Sequence, residues 1–309
     1  MNPGDDKMLS QAVEALTLRF GDCEVLVCCP RGASHRETGQ PCQDACLVSQ
    51  HFYRSHACTL LAVADGHGSK AYTRSDVGAS LATEAVRDAS IKFLHQIVSQ
   101  FEADSPSWRK ESSHFFRERF GRQFLQDWRK RVVEHASENP DPEFPDDQAR
   151  GSLQRYGSTV AMALLFQDLL FVGAIGDSLV YTLQQKEEGL LVQRYFEGDT
   201  GFMMQETDSL CSEDAANKWK SMVLSRDMEK VDMLLLTTDG MSDSLQNPEE
   251  SIRDMYEKTL LHGMEWLCRV LPDQLYRWSD EGVGDDMGVI VCLPKQVYVD
   301  KPIPVETGP

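Results

Sequence analysis

Residues 58–68 read CTLLAVADGHG: an apolar run broken by one hydroxyl and ending in an Asp65-Gly66-His67-Gly68 turn. Short apolar runs bounded by turn residues are how buried strands read, and this one delivers a carboxylate and an imidazole at its end. Upstream, residues 22–29 (DCEVLVCC) and 45–50 (ACLVSQ) have the same form. Downstream, Val77, Leu81, Ala85, Ile91, Leu94 and Val98 recur at helical intervals, which predicts a long helix over 75–100 packed on the sheet. Farther on, Thr159–Phe166 and Leu169–Ile175 are joined by Gln167-Asp168 at hairpin spacing. Residues 233–238 form another run that stops at Asp239-Gly240, and GVIVCL (288–293) reads as a last core strand. Strands gathered in blocks with helices between them predict a layered α+β fold rather than strict βαβ alternation.

The remaining stretches are decorations on that frame. Residues 101–136 carry Phe115, Phe116, Phe120, Phe124, Leu125 and Val132 at helical intervals, a second amphipathic helix within an insertion of about 101–150 that ends in a proline- and acid-rich loop. That helix reads either as a solvated flank or as a partner-docking face. Residues 197–225 are largely polar and irregular, as a flap would be, and 249–271 are again helical in period. The domain is placed at 22–293, with an N-terminal extension over 1–21 and a proline-bearing tail over 294–309.

Composition narrows the function. The chain has 309 residues, 41% hydrophobic and 26% charged, which suits one large globular domain and excludes a disordered or collagen-like protein. A net charge of −18 repels phosphate backbones and anionic lipids, so nucleic acid and membrane are unpromising partners. The first 21 residues lack a basic-then-apolar leader, and no window nears the roughly 18 apolar residues of a membrane span. A soluble, cytoplasmic protein is expected. Nine cysteines, several inside apolar runs and none in a CxxC pair, read as reduced thiols; Cys42 and Cys46 have half-site spacing for zinc, but no second pair follows.

Four carboxylate turns each abut an apolar run: Gln43-Asp44, Asp65-Gly66, Asp239-Gly240 and Gly284-Asp285-Asp286. Taken singly, each reads as a turn, and His67 as a structural histidine. Gathered together, the carboxylates would repel one another unless hard divalent cations such as Mg2+ or Mn2+ neutralised them through oxygen ligands.

Their order and context change the reading. Gln43-Asp44-Ala45, Val63-Ala64-Asp65-Gly66-His67-Gly68, Gly157-Ser158-Thr159, Gly176-Asp177-Ser178, Thr238-Asp239-Gly240 and Asp285-Asp286-Met287 form a series that resembles the metal-dependent protein serine/threonine phosphatases of type 2C, over about residues 31–293. The form of Gly39–Asp44 and the segment Glu206–Leu210 look like a bacterial branch. The resemblance implies a central antiparallel β-sandwich flanked by α-helices in four layers, and a phosphatase acting on phosphoserine and phosphothreonine through two Mg2+ or Mn2+ ions and an activated water. It implies that Asp65 bridges the ions, the Gly66 carbonyl completes one shell, and Asp239 and Asp285 hold the second ion, with Asp286 a hydrogen-bonding neighbour. By the same carry-over Asp44 orients or coordinates through water, and His67 is the general acid, a role that suits imidazole. Gly157-Ser158-Thr159 and Gly176-Asp177-Ser178 read as mainly structural turns.

The chain departs from the pattern where Gly39 and Gln43 stand in place of a phosphate-clamping arginine and a glutamate. Arg36, or else His35 or Arg31, is the candidate to meet the phosphate instead. Gln154 occupies the place of an aspartate that helps hold a third metal in some members, so no tight third site is expected. Phosphorylated protein, with a cognate protein kinase in a signalling role, is the implied partner. The competing reading is a catalytically weak relative that binds phosphoproteins as a regulatory module. A metal-dependent phosphodiesterase or nuclease fits the carboxylates but conflicts with the charge.

Overall fold

The computed structural model describes residues 15–53, 56–100, 106–140, 153–196, 207–225 and 230–295. Two antiparallel sheets stack face to face. One runs in the order β1 (Leu16–Arg19), β2 (Cys23–Cys28), β11 (Val289–Pro294), β10 (Met233–Thr237), β7 (Leu179–Lys186) and β8 (Gly189–Tyr195). The other runs β3 (Ala45–Tyr53), β4 (His56–Ala64), β5 (Val160–Phe166), β6 (Leu169–Ile175) and β9 (Lys220–Ser225). The strand β1 falls inside the stretch read as an N-terminal extension and edges the first sheet.

Side chains alternate between the faces of a strand, so a run that is apolar throughout must be covered on both sides. That is what happens here. Leu61 and Val63 of β4 meet Leu234 and Leu236 of β10 between the sheets, whereas Leu60 and Ala62 turn out toward one helical layer and Met233 and Leu235 toward the other. The outer layers are α2 (Ser75–Gln100), α3 (Pro106–Phe115) and α4 (Gly121–Glu138) on the second sheet, and α7 (Pro248–His262) and α8 (Met264–Glu281) on the first. Three shorter helices, α1 (Ala33–Thr38), α5 (Ala215–Lys218) and α6 (Asp239–Asp243), sit in the connections. The expected four-layer α+β sandwich is the observed architecture. No helix among the described residues is long and apolar enough to cross a membrane.

The helix α2 has the expected limits, and of the residues expected to face the sheet Ala85 and Leu94 are buried. Ala79, Ala82, Ala85 and Ala89 lie at 0 % exposure, while Val77, Leu81 and Val98 are only partly covered. Small residues let the helix lie close to the sheet. The inserted helix is broken once, by a π turn over Phe116–Phe120 that sets two phenyl rings 4.7 Å apart against Phe93 and Phe171. Trp128 of α4 is fully buried and donates its indole N–H to the Gly78 carbonyl of α2 at 3.1 Å. Trp128→Ala is expected to lower unfolding free energy by about 3–5 kcal/mol, the range for an emptied aromatic site, as read by chemical denaturation.

Candidate metal centre

Neighbouring strands in both sheets are antiparallel, so the end of one lies beside the start of the next. The register pairs Ala45 with Ala64, Val160 with Ile175, Leu179 with Thr237, and Thr237 with Val289. Asp44 before β3, Asp65 after β4, Asp177 between β6 and β7, Asp239 after β10 and Asp285 before β11 therefore share one edge of the sandwich. Oxygens of Asp65, Asp177 and Asp239 all lie within 4.8 Å of one another. Asp285, from the strand beside that of Asp239, lies by Asp286 and His35, with one atom of each again within 4.8 Å of the others.

Close backbone approach makes this possible. A side-chain carbon built on Gly240 would stand 2.0 Å from the Asp286 carbonyl oxygen and 3.3 Å from the Asp285 Cβ, so only glycine lets the two turns meet. Gly66, whose carbonyl is the predicted backbone ligand, donates its N–H to the Gln43 carbonyl at 3.1 Å and fastens the Asp65 turn to the Asp44 turn. Asp44 is buried, and its Oδ2 accepts from the Thr238 hydroxyl and the Gly288 amide, both at 2.7 Å. Asp286 accepts from the Gly32 and Gln43 amides at 2.6 Å each and pairs with His35 Nδ1 at 2.8 Å. It is a buried hydrogen-bonding neighbour, as the sequence suggested.

The electrostatics follow from the crowding. Burial, and then the charge of Asp65, holds Asp44 well above the usual carboxylate range. Burial, and then Asp239, Asp177 and Asp285, does the same to Asp65. Asp239 is pushed up to about 7 by burial and by Asp177, Asp285 and Asp243. Burial raises Asp285 too, opposed by the Asp286 amide that it accepts. These are groups asking for positive charge. Among the described residues no lysine or arginine forms an ion pair with Asp44, Asp65, Asp239 or Asp285. Asp177 Oδ1 is buried with no hydrogen-bond partner, its Oδ2 accepting from Thr207 at 2.8 Å. An all-oxygen carboxylate set of this kind fits hard divalent cations.

Asp177 is the member that sequence reading treated as a structural turn. Its signal was available: Gly176-Asp177 ends an apolar run just as Asp65-Gly66 does. His67, the predicted acid, stands behind Asp65 with its amide on the Gly157 carbonyl at 3.2 Å. Burial lowers its pKa, and the Asp177 charge acts against that shift. Gln43 spends its amide group on the Ser75 hydroxyl at the start of α2, at 2.8 Å. Arg36 is turned to α8, where it pairs with Asp280 and its guanidinium carbon lies 4.8 Å over the Tyr276 ring.

Known proteins bear on this arrangement. The model of the family Protein phosphatase 2C matches residues 31–271. No curated protein matches in sequence. Among solved structures, a serine-threonine phosphatase 2C from Toxoplasma gondii superposes with a TM-score of 0.61 at 11% identity, covering 92% of this chain and 98% of that one. A bacterial serine phosphatase gives 0.55 at 18% identity over 89% and 99%, and the serine/threonine phosphatase Stp1 from Staphylococcus aureus 0.53 at 15% over 95% and 99%. At such identities the superpositions speak for the fold. With the family model spanning most of the chain, the turns of Asp44, Asp65, Asp177 and Asp239 included, the protein belongs to the Protein phosphatase 2C family.

Proposed function

We propose that this chain is a Mg2+- or Mn2+-dependent phosphatase that hydrolyses phosphoserine and phosphothreonine in proteins. The observation that carries the reading is the set of oxygen-only carboxylates, drawn from both sheets to one edge and held there with raised pKa values. Two such cations, when bound, polarise phosphoryl oxygens and lower the pKa of a water from about 15.7 toward about 7.

The chain's own residues then have separable tasks. Asp65, the Gly66 carbonyl, Asp239 and Asp285 are the holders. Asp44, fixed through Oδ2 by Thr238 and Gly288, orients the attacking water with its remaining oxygen. His67 gives a proton to the departing serine or threonine oxygen, which leaves poorly as an alkoxide. The partner is a phosphorylated protein, charged beforehand by a protein kinase.

A second reading, a weakly active relative that binds phosphoproteins, is favoured by one observation: Gly39 and Gln43 replace the usual clamp, and Arg36 is engaged by Asp280. Purified protein assayed on a phosphothreonine peptide with EDTA, Mg2+ or Mn2+, beside Asp65→Asn, separates the two. Hydrolysis that requires metal and vanishes in the variant supports the enzyme. A folded protein silent in every metal, yet retaining the peptide, supports the binder.

A further inference from the structure

His67 sits in a turn between two glycines, so its own neighbours in the chain do not restrain its ring. Hydrogen bonding does not restrain it through Nε2 either, since that atom is buried with no partner. What touches the ring is Tyr72, with centroids 4.7 Å apart and planes inclined by 56°. The two rings close on the α-carbon of Gly157. A side-chain carbon there would stand 2.5 Å from Tyr72 Cδ1 and 2.9 Å from His67 Cδ2.

The backbones carrying the rings are pinned on both sides of the contact. His67 donates to the Gly157 carbonyl at 3.2 Å, Arg74 to Arg155 at 3.0 Å, and Thr159 to Asp65 at 2.8 Å. Tyr72 itself lies in the turn that starts α2, donating to the Ser69 carbonyl and accepting from the Ser75 amide. A fixed aromatic ring is thus pressed on an imidazole that little else orients.

We propose that Tyr72 is a positioning residue: its ring holds the His67 imidazole in the attitude from which it protonates the leaving oxygen. The inference rests on the reading of His67 as general acid. In the step, the P–O bond to the serine oxygen breaks, that oxygen keeps the bonding pair, and it takes the proton from His67 while water supplies the new P–O bond. Tyr72 changes the geometry of the transfer and none of its atoms reacts.

Leaving-group dependence tests this. A phosphoserine peptide needs the proton, whereas p-nitrophenyl phosphate releases a phenolate that departs without one. With Mn2+ saturating, Tyr72→Ala is expected to lower kcat on the peptide about tenfold or more, part of the 10²–10⁴ that a general acid contributes, leaving KM and the p-nitrophenyl phosphate rate near those of the parent. Tyr72→Phe, which keeps the ring, is expected to stay within about twofold on both substrates. Tyr72→Leu keeps the volume without the ring and stands in if the alanine variant melts early. His67→Ala is the control. If it slows both substrates alike, the general-acid reading fails and the inference with it. If it selectively slows the peptide while Tyr72→Ala and Tyr72→Leu do not, the positioning role alone is overturned.

Discussion

An Asp239→Ala variant is expected to lose turnover by on the order of a thousandfold, the scale reached when one electrostatic group of an active site is removed. It is also expected to melt at a higher temperature than the parent when both are stripped of metal at pH 8. The two effects have one origin. Asp239 is buried beside Asp177 and Asp285, and its pKa of about 7 means that ionising it in the empty site costs free energy that an unfolded chain does not spend. Alanine removes the repulsion together with the ligand. Steady-state rates and calorimetry in EDTA measure the pair of outcomes. An unchanged rate would refute the assignment of Asp239, and a lower melting temperature would refute the account of its charge.

The stability of the metal-free protein should fall as pH rises. A carboxylate whose folded pKa exceeds its unfolded value of about 3.9 binds more protons folded than unfolded between those two values, so unfolding becomes easier with increasing pH across that window. For Asp239 the window runs from about 4 to about 7, and Asp44, Asp65 and Asp285 act with the same sign. His67, with a lowered pKa, acts oppositely as a single group. Denaturation midpoints in EDTA are therefore expected to decrease from pH 5.5 to pH 8. Added Mg2+ should reverse the trend, because a cation at 100 times its dissociation constant stabilises by about 2.7 kcal/mol. The net charge of −18 contributes repulsion of the same sign, so the slope in Asp239→Ala, shallower than in the parent, isolates the local part. Midpoints that stay flat or rise in EDTA would remove the electrostatic argument for the centre.

Much of the fold could be read because both faces of the central strands are covered. Runs such as residues 60–64 and 233–236 are apolar without interruption and announce themselves. The strands that went unread are β1, β7, β8 and β9, of which β1, β8 and β9 edge their sheets, and they carry Thr17, Gln184, Arg194 and Lys220 among their apolar residues. The α2 helix was legible in extent and partly in orientation. Helical spacing found Ala85 and Leu94, whereas Ala79, Ala82 and Ala89 take the close positions on the sheet and leave Val77, Leu81 and Val98 at its margin. At the site, Asp44, Asp65, Asp239 and Asp285 stand out as candidates because each borders an apolar run and their order resembles the family's. Asp177 was passed over because Gly-Asp is also an ordinary turn, and its meeting with Asp65 depends on a chain crossing from one sheet to the other. No local pattern could have shown Arg36 its partner Asp280, 244 positions away.

Asp44 and Asp65 are rooted in one sheet, and Asp239 and Asp285 in the other. The spacing of the carboxylates is therefore the separation of two plates, and what sets that separation is the filling between them. A close-packed interior does not compress. Side chains such as Leu61 and Leu236, which touch no ligand, act as shims: trimming or enlarging one tilts a plate, and a displacement of about 1 Å at a reacting centre can cost about a hundredfold in rate. In this protein the calibration of the centre is written in its grease rather than in its charges.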